Sequence, residues 1–76
     1  MEKKSDREVR KRFGERLKEL RNARGISQMN LGLECDLSQT YLSEVEAGKR
    51  NISLANMARL ARALQITLAH LLEGVE

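Results

Sequence analysis

Four hydroxyl residues, Ser27, Ser38, Ser53 and Thr67, each stand directly before a short stretch of helical apolar spacing, and no proline interrupts the chain. A hydroxyl placed there accepts a hydrogen bond from a first-turn amide that no intrahelical carbonyl can reach. The spacing predicts helices over residues 28–35, 39–47, 54–64 and 68–72. Leu31, Cys35, Leu42 and Val45 face inward in the first two, and Leu54, Met57, Ala58 and Ala61 in the third. Upstream, Val9, Phe13, Leu17 and Leu20 step by four, four and three, which puts them on one face of a helix over residues 6–24. Ser5 or Asp6 caps its start, and Gly25 ends it in the left-handed conformation. No stretch alternates apolar and polar residues with β-branched or aromatic enrichment, so no strand is expected. Five helices in 76 residues leave only short connections. The expected fold is a compact all-α domain of five helices over residues 6–76, behind a flexible tail at residues 1–5.

A chain of this length buries only about 60% of its unfolded surface and holds one domain. The longest stretch free of charged side chains, Ala63 to Leu72, has 10 residues, half of the roughly 20 a membrane-spanning helix needs. The charged N-terminus lacks the apolar run of a signal peptide. The single cysteine, Cys35, cannot close an internal disulfide and belongs to no zinc-binding cluster, which points to the cytoplasm. Cys35 reads as a small buried hydrophobe and the only histidine, His70, as a surface or interface residue. No nucleophile–base pair and no metal cluster are present, so neither an enzyme nor a cofactor is expected.

The charge is uneven. Residues 1–26 hold ten Lys or Arg against five Asp or Glu, residues 27–50 hold two against four, and residues 51–76 balance. A basic block on a small domain suggests a polyanionic partner, nucleic acid first, although a solvated helix face would look the same.

The helices at 28–35 and 39–47 are joined by only Asp36-Leu37-Ser38. So short a link forces a steep crossing, as in a helix-turn-helix, whose second helix enters the DNA major groove. Gly32 permits close backbone approach at the crossing, and Leu37 can plug the hinge. Three motifs then carry a resemblance over essentially the whole chain: Leu20-Arg21-X-X-Arg24-Gly-Ile-Ser-Gln, Thr40-Tyr-Leu-Ser-Glu-Val-Glu-Ala-Gly-Lys-Arg-Asn, and Leu60-Ala-X-Ala-Leu. In this order they resemble the Cro/C1-type, or XRE, helix-turn-helix regulators, which have the lambda-repressor-like fold. Gln39-Thr40-Tyr41 followed by Glu46-X-Gly48-X-Arg50-Asn51-Ile52-Ser53 looks most like the controller proteins of restriction–modification systems. Two positions depart from the family pattern: Gly32 stands where Ala is usual, and Asp36 where Gly is usual in the turn.

Gln39, Thr40, Ser43 and Glu44 lie opposite Leu42 and Val45 on the second helix of the pair. Gln can pair with adenine N6 and N7, Thr can meet a thymine methyl, and Glu can accept from cytosine N4. Glu44 could equally pair with a basic residue. Gln28 heads the first helix of the pair, where its amide and the helix-end amides can grip a phosphate. Ser38 and Tyr41 join the expected DNA-binding set, with the Tyr41 hydroxyl reaching a phosphate or its ring simply packing at the core edge. The resemblance implies that the loop residues Lys49, Arg50 and Asn51 work against the DNA backbone or minor groove, and that Arg16 pairs with Glu46. Arg10, Lys11, Arg21 and Arg24 can add electrostatic attraction.

Leu60, Leu64, Ile66, Leu68, Leu71 and Leu72 exceed what a core this small can bury from one end of the chain, and the surplus is expected to form a two-fold homodimer contact. The expected partners are a double-stranded operator, a second copy of the chain and RNA polymerase; no membrane is expected. A protein-interaction module or antitoxin that has lost DNA contact is the alternative, supported by the net negative charge of residues 27–50.

Overall fold

The computed structural model describes residues 4–76, in the order α1 (Lys4–Arg24), α2 (Gln28–Cys35), α3 (Gln39–Glu46), α4 (Leu54–Ala63) and α5 (Leu68–Leu71). Among these residues there is no strand. All four expected hydroxyl caps form: Ser27 Oγ accepts from the Asn30 amide at 3.1 Å, Ser38 Oγ from Tyr41 at 3.0 Å, Ser53 Oγ from Asn56 at 3.1 Å, and Thr67 Oγ1 from His70 at 3.0 Å. The last three helices each stop one residue earlier than the spacing predicts, because Ala47, Leu64 and Leu72 serve as C-caps.

The start of α1 differs from expectation. Residues 4 and 5 belong to the helix and not to a tail, and neither Ser5 nor Asp6 caps it. Nothing at Lys4-Ser5-Asp6 stops a helix, and Asp6 in the first turn suits the positive end of the helix dipole. The remainder of the expected tail, residues 1–3, lies outside the described residues.

The core gathers Phe13 and Leu17 of α1, Leu31 and Cys35 of α2, Leu42 and Val45 of α3, Leu60 and Ala61 of α4, with Leu64, Leu71 and Val75. Helix α1 packs on α3 and α5, α2 on α3 and α4, and α4 on α5. Two residues assigned inward lie outside: Val9 is 45% exposed and Leu54 is 65% exposed. Both sit where their helix begins its packed face, which in α4 runs through Met57, Leu60, Ala61 and Leu64. Val75 closes the core beyond Gly74, a burial that follows the last helix and has no periodic signal.

The largest correction concerns the leucines assigned to a dimer contact. Leu60, Leu64 and Leu71 are buried within the single chain, between 0% and 6% exposed, and belong to its core. Ile66, Leu68 and Leu72 are only partly buried and pack at the edge of the core. The count of leucines overshot because α1 and α2 both bring apolar faces to this end, so the core takes more side chains than residues 60–72 alone would bury.

Candidate nucleic-acid interface

The geometry begins at the α2–α3 turn. Asp36 takes φ 59° and ψ 42°, the left-handed conformation, and both it and Leu37 donate their amides to the Gly32 carbonyl. A Cβ on Gly32 would lie 2.3 Å from the Leu37 carbonyl oxygen, far inside contact distance. The departures at 32 and 36 therefore meet at one place: the absent side chain of Gly32 admits the turn that Asp36 bends.

A second glycine sets α3 against α1. A Cβ on Gly14 would lie 2.5 Å from the Glu46 carbonyl oxygen and 2.6 Å from that of Val45. The backbones of the two helices therefore touch at the C-terminal end of α3. Gly14 escaped the sequence reading, although a glycine inside a strongly helical stretch is itself a sign of close packing.

Beside this contact lies an ion pair that the sequence reading gave to the wrong arginine. Arg21, not Arg16, holds Glu46, with Nε at 2.6 Å and Nη2 at 3.0 Å from the two carboxylate oxygens. Gln28 Nε2 adds a third bond to Glu46 at 3.0 Å, and Arg21 Nη1 donates to the Ile26 carbonyl at 2.9 Å. The two charged side chains are 11% and 5% exposed. The hydrogen bond to Glu46 raises the Arg21 pKa, so the guanidinium stays charged. Arg16 instead reaches Glu19 at 3.0 Å and the His70 carbonyl at 2.7 Å, tying α1 to α5. Arg16 and Arg21 are five residues apart, so they leave α1 in different directions, and only Arg21 looks toward the end of α3. Arg24, one of the expected sources of attraction, ties α1 to Glu34 of α2 at 2.9 Å and to the Ala63 carbonyl.

With its inner face fixed, α3 turns Gln39, Thr40 and Ser43 to solvent as exposed residues, with Glu44 partly exposed beside them. Ser38 also lies at the surface, its oxygen committed to the Tyr41 amide. Gln28 is drawn inward by Glu46 and not left free at the head of α2. Tyr41 is partly buried, and its hydroxyl accepts from Asn56 Nδ2 at 3.3 Å. No sequence signal marked Asn56 for that role.

Lys49, Arg50 and Asn51 follow α3 in an exposed loop that starts at Gly48, φ 75°. Gly48 lies against α1, where a Cβ would come 3.0 Å from Lys11 Cα. Arg10 and Asn51 border the same hollow. Arg10 and Lys11 of α1 therefore lie beside the loop that follows α3. Arg50 does not extend from it: Nε binds Glu44 Oε1 at 2.8 Å, and the guanidinium lies over the Tyr41 ring, 5.4 Å from its centre. Cys35 has no part in this surface. Its buried thiol donates to the Leu31 carbonyl at 3.0 Å, and burial raises its pKa.

A short capped helix and a turn locked under an exposed second helix make a helix-turn-helix, the motif of the Cro/C1 (XRE) class of DNA-binding regulators. The chain belongs to the helix-turn-helix family, whose model matches residues 17–71. It is 40% identical over 70 residues to the control protein C.MunI of a Mycoplasma species, covering 91% of this chain and 95% of that protein. It is 38% identical over 66 residues to the control protein C.BamHI of Bacillus amyloliquefaciens, covering 86% of this chain and 82% of that one. Among solved structures, the restriction-modification controller protein C.AhdI from Aeromonas hydrophila superposes with a TM-score of 0.80 at 45% identity, covering 82% of this chain and 94% of that one.

Proposed function

We infer that this regulator binds a pseudo-palindromic double-stranded operator as a homodimer and controls a restriction–modification operon. One observation carries the reading: the exposed face of α3 holds polar, base-competent side chains while its opposite face is locked to α1 and α2. Gln39 and Thr40, at the N-terminal end of α3, are the base readers, with Ser43 beside them. Ser38, Tyr41 and the loop residues Lys49, Arg50 and Asn51 serve the phosphate backbone and the minor groove, while Gln28 stays bound to Glu46. Two copies meet through Ile66, Leu68 and Leu72, the partly exposed residues at the α4–α5 end. The similarity to control proteins supports the restriction–modification role. The protein acts in the cytoplasm and is not an enzyme; no described helix is long and apolar enough to cross a membrane.

A second reading has its own support. Met29 and Leu33 are 56% and 76% exposed one turn apart on α2, an apolar pair that suits the protein partner of an interaction module or antitoxin. Binding of the purified protein to a duplex pool, titrated with salt and with a polyanion competitor, separates the two. DNA recognition predicts binding that weakens linearly in log K against log salt and outlasts the competitor on some sequences. No binding at low salt would leave the interaction module.

A further inference from the structure

Resting on the DNA-binding reading, we propose that Glu44 is a specificity-determining residue that acts through Arg50, holding the guanidinium back from DNA that lacks the operator sequence. The pair spans the recognition surface. Glu44 lies on the outward side of α3 with Thr40 and Ser43, while Arg50 comes from the loop and folds back over Tyr41. Tyr41 is itself pinned by Asn56, so the platform under the guanidinium is fixed. Both partners are substantially exposed, 52% for Arg50 and 39% for Glu44, which makes the pair weak enough for a phosphate to compete with it.

The consequence is a cost confined to the wrong sequence. When Arg50 leaves Glu44 for a phosphate, it uncovers a carboxylate against a polyanion, and random DNA offers nothing to compensate. A site that places a base amino group beside Glu44, such as cytosine N4, gives the carboxylate a new donor. The same two residues thus weaken nonspecific binding and leave operator binding nearly intact, a repulsive contribution to specificity.

The experiment compares wild type, Glu44→Gln and Glu15→Gln on the operator recovered by selection and on a scrambled duplex, across a salt series. Glu15 is exposed on α1 and belongs to none of the ion pairs described above, so its change serves as the control for net charge. Glu44→Gln is expected to tighten scrambled binding about threefold, to steepen its salt dependence by about one ion, and to leave the operator affinity unimproved. Circular dichroism should match wild type, since the pair is exposed. Equal gains on both duplexes, or the same gain from Glu15→Gln, would overturn the proposal in favour of bulk charge. An unchanged scrambled affinity would overturn it too, and with operator binding reduced it would make Glu44 a plain base reader. Failure of wild type to bind either duplex would remove the DNA-binding reading itself, a result none of the variant outcomes mimics.

Discussion

At the scale of single residues, what a side chain does depends on whether its polar atoms are already spent. Gln39 is exposed at the first position of α3, free to meet a base. Gln39→Ala should cost roughly 1–3 kcal/mol on the operator and little on scrambled DNA, as measured by competitive binding. Equal losses on both would show that Gln39 reads no base. Glu46 is the opposite case, receiving three bonds from Arg21 and Gln28 in a nearly closed site. Removing one member of a buried pair strands its partner's charge, so Glu46→Ala should lower stability by roughly 3–5 kcal/mol in thermal or urea unfolding. The family motif made Glu46 legible as half of an ion pair. Its partner was not, because the motif alone does not say which arginine of α1 faces the end of α3, and only the crossing of the two helices selects Arg21.

At the scale of elements, the helices were legible because each carries its own punctuation. Ser27, Ser38, Ser53 and Thr67 form the caps that their positions announce, and the α2 boundaries agree at both ends. The start of α1 was less legible: the helix continues back to Lys4, past Ser5 and Asp6. The contact between α1 and α3 was hidden for a different reason. It is made by backbone, and only the missing side chain of Gly14 records it. Gly14→Ala would press a methyl into the Glu46 and Val45 carbonyls against a modest gain in helix propensity. A net loss of about 1–3 kcal/mol is expected, with α3 displaced. Asp36→Gly should act in the other direction, relieving left-handed strain at φ 59° and adding up to about 1 kcal/mol. Paired unfolding curves check both signs.

At the scale of the whole molecule, assembly was the least legible feature, since a leucine count cannot tell a monomer's core from its surface. The structure assigns Leu60, Leu64 and Leu71 to the core and leaves Ile66, Leu68 and Leu72 at its edge. Leu68→Glu should therefore keep the helical spectrum and sediment as a monomer, whereas Leu71→Glu should unfold the chain by burying a carboxylate. A folded, dimeric Leu68→Glu variant would place the two-fold contact elsewhere. The central claim is that α3 reads an operator in pairs, and selection from a random duplex pool with the purified protein tests it most directly. Enrichment of one motif with two inverted half-sites about one helical turn apart, centre to centre, is the expected result. Recovery of no common sequence, with uniform binding across the pool, would contradict it.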